Sequence, residues 1–297
     1  MTKITFLGTS SMQPTKERNH PSILLTYKSE NILFDCGEGT QRQMRIGGIK
    51  PSKITKICIS HWHGDHVLGL PGLMSTMGTD QYAKKVEIYG PKGTKKYIEH
   101  MLKAFFSKDV IDFEINEVNE GIIFENKEFR LEAAKLEHGT TCIGFSFTEK
   151  DKLRINMAKA KRLGLNEGPE LGKLQEGKDI QFNNQKINHK DVTYKVYGKK
   201  FSYISDTINC DGANKLAEDS DLLVSECSFH SNEENKAEEY LHLTAKDAAL
   251  IASQHGVKKL ILTHPSLRYK DVNVLVEEAK NYFQETIFAH DFMKVNL

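Results

Sequence analysis

Cysteine is scarce and unpatterned in this chain: five residues, Cys36, Cys58, Cys142, Cys210 and Cys227, with no Cys-x-x-Cys pair. That excludes a disulfide framework and a thiolate zinc site, and it points to a reducing compartment, the cytoplasm. Each cysteine lies in or beside an apolar run, where it reads as a small core residue. Long apolar runs are missing as well. No stretch of about 18 apolar residues offers a membrane span, and the opening Met1-Thr2-Lys3-Ile4-Thr5-Phe6-Leu7-Gly8 reads as a strand and a turn rather than a secretory signal. No linker rich in Pro, Gly or Ser interrupts the chain. Net charge is nearly absent at +1, yet its distribution is uneven. Residues 150–200 carry 13 Lys/Arg against 6 Asp/Glu, a local +7, which leaves 28 basic and 34 acidic residues, or −6, elsewhere. A basic segment in an acidic body suits a polyanionic partner, although lysine-rich faces are more often simply solvated.

What is present is a chain of 297 residues, 39% hydrophobic and 27% charged, able to bury a sizeable core. Short β-rich apolar runs ending at polar or Gly-rich turns recur at residues 4–7, 32–34, 54–60, 86–89, 201–205, 222–225 and 260–263. Helical patterns fall at about 94–106, 243–255 and 272–283. In the second of these Thr244 caps the start, Asp247 reaches back to it, and Gly256 closes the end. Strands interleaved with helices predict an α/β layered domain. Residues 155–165 read as a short basic amphipathic helix, followed by Asn166-Glu167-Gly168-Pro169, so that about 150–185 looks like an insertion in a single domain spanning 1–297.

The strongest signal is Ser60-His61-Trp62-His63-Gly64-Asp65-His66, directly after a predicted strand. Four potential ligands within six residues cannot all reach one metal from a regular strand or helix. A tight turn at Gly64 can splay them toward two neighbouring ions, and imidazoles with a carboxylate suit zinc. Three further donors stand at turns or strand ends: His138 before Gly139, Asp206 after Ser205, and His264 before Pro265. Taken singly, each is more often a capping or core polar residue. Their recurrence at strand ends changes that, because a layered α/β domain gathers strand ends at one rim. The expected arrangement is one ion on His61, His63, His138 and Asp206, and a second on Asp65, His66, Asp206 and His264, with Asp206 bridging. Asp35, in a turn after a strand, reads as an organiser of ligands. Pro265 predicts extended geometry for His264.

This ligand pattern resembles the metallo-β-lactamase superfamily, which implies an αβ/βα four-layer sandwich. More narrowly, segments along nearly the whole chain resemble the ribonuclease Z family. They include Gly8-Thr9-Ser10, Pro14-Thr15-Lys16-Glu17-Arg18-Asn19, the run from Leu33-Phe34-Asp35 to Gln43, and Gly69-Leu70-Pro71-Gly72-Leu73. Gly168-Pro169-x-x-Gly172-Lys173-Leu174-x-x-Gly177 resembles that family's flexible arm, which grips the body of tRNA. Pro265 departs from the family, where a Phe or similar residue usually precedes Ser-x-Arg-Tyr.

The resemblance implies two Zn2+ per chain, hydrolysis of the 3′ trailer from precursor tRNA, and a homodimer. It assigns Asp65 a second role at the nucleophile, His242 the part of general acid, and Glu226 that of orienting His242. Without the resemblance, His242 reads as the flank of the following helix. Arg18 and Arg268 are candidates for RNA phosphates, or equally for fold-stabilising ion pairs. Gly168, Pro169 and Lys173 would contact the tRNA, with Lys159, Lys161 and Arg162 acting by charge. Two other readings stay open: another binuclear-zinc hydrolase, such as a small-molecule phosphodiesterase or lactonase, and a non-catalytic RNA-binding module.

Overall fold

Short runs of β-branched and aromatic residues become two seven-stranded sheets in the computed structural model, which describes residues 2–79, 85–105 and 111–297. The chain divides into two compact units, one of Met1–Glu125, Leu131–Phe147 and Lys200–Leu297, the other of Asn126–Arg130 and Thr148–Lys199.

In the larger unit the first sheet runs in the order Lys294–Asn296, Lys3–Gly8, Ser22–Tyr27, Glu30–Phe34, Lys56–Cys58, Val86–Gly90, Phe113–Glu117. Pairing is antiparallel from Lys294–Asn296 to Glu30–Phe34 and parallel beyond it. The second sheet runs Thr286–Phe288, Leu260–Thr263, Leu222–Glu226, Lys200–Ile204, Thr141–Glu149, Phe129–Glu137, Gly121–Glu125. Its first four strands are parallel. Leu222–Glu226 and Leu260–Thr263 are buried at every position, as strands covered on both faces must be.

Aromatic rings hold the inner faces together. Phe34 meets Phe145, Phe201 and Tyr203 at 5.8, 5.4 and 6.1 Å between centroids, and Tyr27 meets Phe147 at 5.4 Å. Helices Thr40–Ile46, Leu70–Thr79 and Thr94–Phe105 cover the outside of the first sheet through Met44, Leu73, Met77 and Ile98. Helices Asp211–Ala217, Ala245–Gln254 and Asn273–Lys280 cover the second through Leu216, Ala249, Ile251 and Leu275. The layers are therefore αβ/βα, the predicted sandwich.

The expected capping box is formed: Thr244 Oγ1 accepts from the Asp247 amide at 3.1 Å, and Asp247 accepts from the Thr244 amide at 3.1 Å. The strand predicted at 54–60 is shorter, Lys56–Cys58, because Pro51 opens a 3-10 turn that ends only at Ile54. The helix predicted at 94–106 covers Thr94–Phe105, with Phe106 outside the described residues. Strands Phe129–Glu137 and Thr141–Glu149 were not foreseen, since polar and charged residues alternate through the first of them. Among the described residues no helix is long and apolar enough to cross a membrane.

The smaller unit has its own core of Ala160, Leu165, Leu174, Ile180, Ile187 and Val192. Strands Lys152–Ile155 and Thr193–Val196 pair antiparallel, which carries the unit past the predicted end at 185 to Lys199. Strands Ile180–Phe182 and Gln185–Ile187 form a hairpin whose two turn residues, Asn183 and Asn184, both have positive φ, 49° and 58°. Asn156 caps helix Met157–Arg162, and Pro169 opens helix Pro169–Gln175.

Candidate metal centre

Parallel strands in register end at a common edge, and the chemistry-bearing residues follow those ends. Phe34 pairs with Cys58, Ile204 with Ser225, and Glu226 with Thr263. Asp35, Ser205-Asp206 and His264 come immediately after these positions, Ser60-His61 one residue later, and His138 follows strand Phe129–Glu137. The two sheets are tied at this edge. Ser205 Oγ donates to Ser60 Oγ at 3.0 Å, and Tyr203 Oη donates to Asp35 Oδ2 at 2.8 Å.

The 61–66 segment differs from the predicted tight turn. The chain is extended at His63, with φ −71° and ψ 149°, then enters a helical turn, Gly64–Val67. His61 and His63 precede the helical turn and Asp65 and His66 lie in it, so the change of backbone conformation at Gly64 separates the ligand pairs. Gly64 takes part as a helical residue.

Seven side chains converge in two groups, His61, His63, His138 and Asp206, and Asp65, His66, Asp206 and His264, with the donor atoms of each group within 4.8 Å of one another. In the first, His138 Nε2 lies 3.3 Å from His63 Nδ1 and 3.9 Å from Asp206 Oδ2, and His61 Nε2 lies 3.8 Å from Asp206 Oδ2. In the second, His66 Nε2 lies 3.3 Å from Asp65 Oδ2, and His264 Nε2 lies 3.4 Å from both Asp65 Oδ2 and Asp206 Oδ1. A tetrahedron of ligands around zinc has edges of about 3.3 Å, so these separations fit such a cation. Glu226, His242 and His264 form a third group on the same criterion.

The outer ring nitrogens are held, which leaves the inner ones for a metal. His66 Nδ1 donates to Asp35 Oδ2 at 2.8 Å, His138 Nδ1 to the Leu241 carbonyl at 3.0 Å, and His61 Nδ1 to Ser60 Oγ at 3.0 Å. His264 Nδ1 lies 3.1 Å from Ser228 Oγ. By contrast, His61 Nε2, His66 Nε2 and Asp206 Oδ1 are buried without a hydrogen bond. Buried polar atoms are rarely left unpaired, and these three, His61 in one donor group, His66 in the other and Asp206 in both, fit bound cations. Asp35 carries out the organising part expected of it, accepting from His66, the Ser60 amide and hydroxyl, and Tyr203.

Electrostatics point the same way. Burial, reinforced by neighbouring imidazoles, lowers the pKa of His61 and His63, so both are neutral and able to ligate. Burial alone would raise Asp65 and Asp206, yet the facing histidines hold both carboxyls well below their usual range. His66 is raised despite burial because Asp206, Asp35 and Asp65 surround it. Carboxylates that retain a proton on His66 would equally attract a divalent cation.

Beside this cluster, His242 Nδ1 donates to Glu226 Oε1 at 2.8 Å. Glu226 is buried and also accepts from the amides of Thr207, Ser228 and Leu243, so it cannot swing. Burial would lower the His242 pKa, but Glu226 outweighs it and pushes it up to about 9. The His242 ring stands 5.0 Å from His138 and 5.7 Å from His264.

His264 overturns the extended geometry predicted for it. Its φ is +61°, a region that costs a non-glycine residue of order 1–3 kcal/mol. The strand ends at Thr263, and the left-handed residue turns the imidazole inward. The His264 amide donates to Thr9 O at 3.3 Å, and its carbonyl accepts from Ser228 Oγ at 3.1 Å, which over-determines the conformation.

Arg18 and Arg268 are both anchored to protein. Arg18 Nη1 donates to Thr9 Oγ1 at 2.7 Å and to Ala289 O at 2.6 Å, while Arg268 pairs with Glu233 at 2.9 Å and covers the Phe229 ring at 5.0 Å. Gly168, Pro169 and Lys173 lie exposed in the smaller unit, as do Lys159, Lys161 and Arg162. Ser228 and the Leu241 carbonyl were not foreseen as ligand supports. Ser228 stands two residues after Glu226, but a backbone carbonyl leaves no sequence signal.

A structure described as the metallo-β-lactamase fold protein YhfI from Bacillus subtilis matches with a TM-score of 0.72 at 18% identity, covering 99% of this chain and 98% of that one. Fold and site together define a metal-dependent hydrolase of metallo-β-lactamase fold. The chain belongs to the ribonuclease Z family and, through residues 2–158, to the family whose model is described as "Anti-Pycsar protein Apyc1". Ribonuclease Z of Methanothermobacter thermautotrophicus is 42% identical over 299 residues, covering 100% of this chain and 97% of the relative. The crystal structure of the short form of human tRNase Z matches with a TM-score of 0.73 at 28% identity, covering 99% of this chain and 98% of that one.

Proposed function

We propose that this chain is a zinc-dependent endoribonuclease that removes the 3′ trailer from precursor tRNA, leaving a 3′-hydroxyl on the tRNA and a phosphate on the trailer. The observation that carries this reading is the convergence of seven donors on one strand-end rim, in a chain related over its whole length to ribonuclease Z. Two Zn2+ suit the donor set, which has imidazoles and carboxylates but no thiolate. His61, His63, His138 and Asp206 would hold one, and Asp65, His66 and His264 the other, with Asp206 shared. Bound there, the cations supply Lewis acidity to the phosphoryl group and to the attacking water.

The chain's own side chains handle the protons. Asp65, ionised beside His66 and His264, accepts one from the attacking water. His242, protonated at neutral pH and held at Nδ1 by Glu226, gives one to the departing 3′ oxygen. Water adds at phosphorus as the 3′ oxygen leaves, so the reaction is a balanced hydrolysis.

Lys159, Lys161, Arg162 and Lys173 hold the tRNA body by charge, with Gly168 and Pro169 shaping the start of the helix that carries Lys173. Arg18, anchored at Nη1, meets phosphates with the remaining edge of its guanidinium, and Arg268, anchored at Nη1 by Glu233 and at Nε by Ser266, meets them with Nη2. A cytoplasmic homodimer completes the proposal, on cysteine usage and family resemblance. The test is to incubate metal-loaded protein with a 3′-extended precursor tRNA and map the cut. A single cut at the trailer boundary is expected. An intact precursor alongside hydrolysis of a small phosphodiester or lactone would favour another binuclear hydrolase instead.

A further inference from the structure

Trp62 is the only tryptophan in the chain, and it stands between two metal-centre histidines, His61 and His63. Its indole does not turn toward the donors. Nε1 donates to Thr94 Oγ1 at 2.9 Å, and the ring packs on Tyr97, centroids 5.0 Å apart and planes at 35°. Thr94 is itself pinned by the Pro91 carbonyl at 2.7 Å, so this arrangement is fixed to the start of helix Thr94–Phe105. A Cβ on Gly93 would come within 3.1 Å of the Tyr97 ring, so glycine leaves the ring room.

Tyr97 is 47% exposed although it rests on Trp62. Helix spacing puts His100 on its flank, with Lys96 one turn before His100. Lys92 and Lys96 are exposed, and no ion pair engages either of them among the described residues. Glu117, the acidic group at this helix start, is occupied by the amides of Gly93 and Lys95, both at 3.0 Å. An exposed aromatic ring flanked by free lysines is the composition that binds single-stranded nucleic acid, bases stacking on the ring and phosphates meeting the cations.

Position in the site selects which part of the strand lies there. The imidazoles run from His63 to His138 to His242 in steps of 5.0 and 5.0 Å. His242 serves the 3′ oxygen of the tRNA, and Trp62 adjoins His63 in the chain, at the other end of this row from the residue that serves the retained end. Resting on the ribonuclease reading above, the geometry points to Tyr97, seated on Trp62, as a stacking platform for unpaired bases downstream of the cut, with Lys92 and Lys96 taking their phosphates.

The test uses metal-loaded protein and two precursor tRNAs that differ only in trailer, eight unpaired nucleotides or one, with bis(p-nitrophenyl) phosphate as a control. Tyr97→Ala should raise KM for the long trailer about tenfold, the scale of one lost base stack. It should leave the single-nucleotide trailer and the control unchanged, and Tyr97→Phe should behave as the native chain. Oligouridylate should quench the Trp62 fluorescence of the native protein, and Lys96→Ala should weaken that quenching most at low salt. Equal effects of Tyr97→Ala on both trailers, or none on either, overturn the platform. Failure of the native protein to cut either precursor while it hydrolyses the control overturns the ribonuclease reading and the platform with it.

Discussion

The metal centre and the smaller unit are built on opposite principles. At the centre His61, His66, Asp35 and Glu226 are buried almost completely, and the polar atoms that point away from the donor groups are held by hydrogen bonds. In Thr148–Lys199 the side chains proposed to hold tRNA, Lys159, Lys161, Arg162 and Lys173, are exposed over a core of six buried residues. Chemistry at phosphorus needs charges fixed in a desolvated place, because electrostatic interactions weaken in water. Holding a polyanion needs only cations that can reach it, and the strength of that hold falls with salt.

If the contrast holds, substitutions should fail in different ways on the two sides. The largest effect is expected for Asp206→Ala, since this carboxylate belongs to both donor groups. Metal content by mass spectrometry should drop toward zero, and hydrolysis of every substrate should fall on the order of 10³-fold or more. Two retained metal ions with full activity would show that Asp206 is not shared.

Next comes His242→Ala, which should leave the metal content intact while turnover of precursor tRNA drops about 10²- to 10⁴-fold. Normal turnover would remove His242 as the acid. Asp35→Asn should do the reverse at smaller scale. It takes one carboxylate oxygen from His66, Ser60 and Tyr203 together, and metal affinity should weaken about 10- to 100-fold by competition with a chelator. An unchanged affinity would mean that the orientation of His66 is set elsewhere.

The smallest effect is expected in the other unit. Replacing Lys159, Lys161 and Arg162 together by Ala should cost precursor tRNA binding roughly tenfold at low salt and flatten its salt dependence by about two to three phosphates' worth. A small phosphodiester should be hydrolysed as before. If it is not, the two regions are not separable as described.

Much of this contrast could be read from residue order, but unevenly. The His61–His66 cluster and the local +7 of residues 150–200 are dense, local signals. Thr244, Asp247 and Gly256 announced their helix because caps act within one turn of chain. The strand Phe129–Glu137 was missed because its charged residues alternate with buried ones next to the edge of a large sheet. The conformation of His264 was misjudged because Pro265 is a local influence, whereas Thr9 and Ser228, which hold His264, lie far away in the chain.

Sequence by itself determined the donor types, the layered α/β alternation and the place of the basic insertion, since each depends on residue identity and short-range spacing. Only the tertiary structure decided that His138, Asp206 and His264 stand beside the 61–66 segment, and that Nδ1 of His61, His66, His138 and His264 is tied back so that Nε2 is left facing inward. Those outcomes follow from the register of parallel strands, which pairs residues more than twenty positions apart, and from two sheets closing on Phe34, whose contact with Phe145 spans more than a hundred; such interactions leave no local trace.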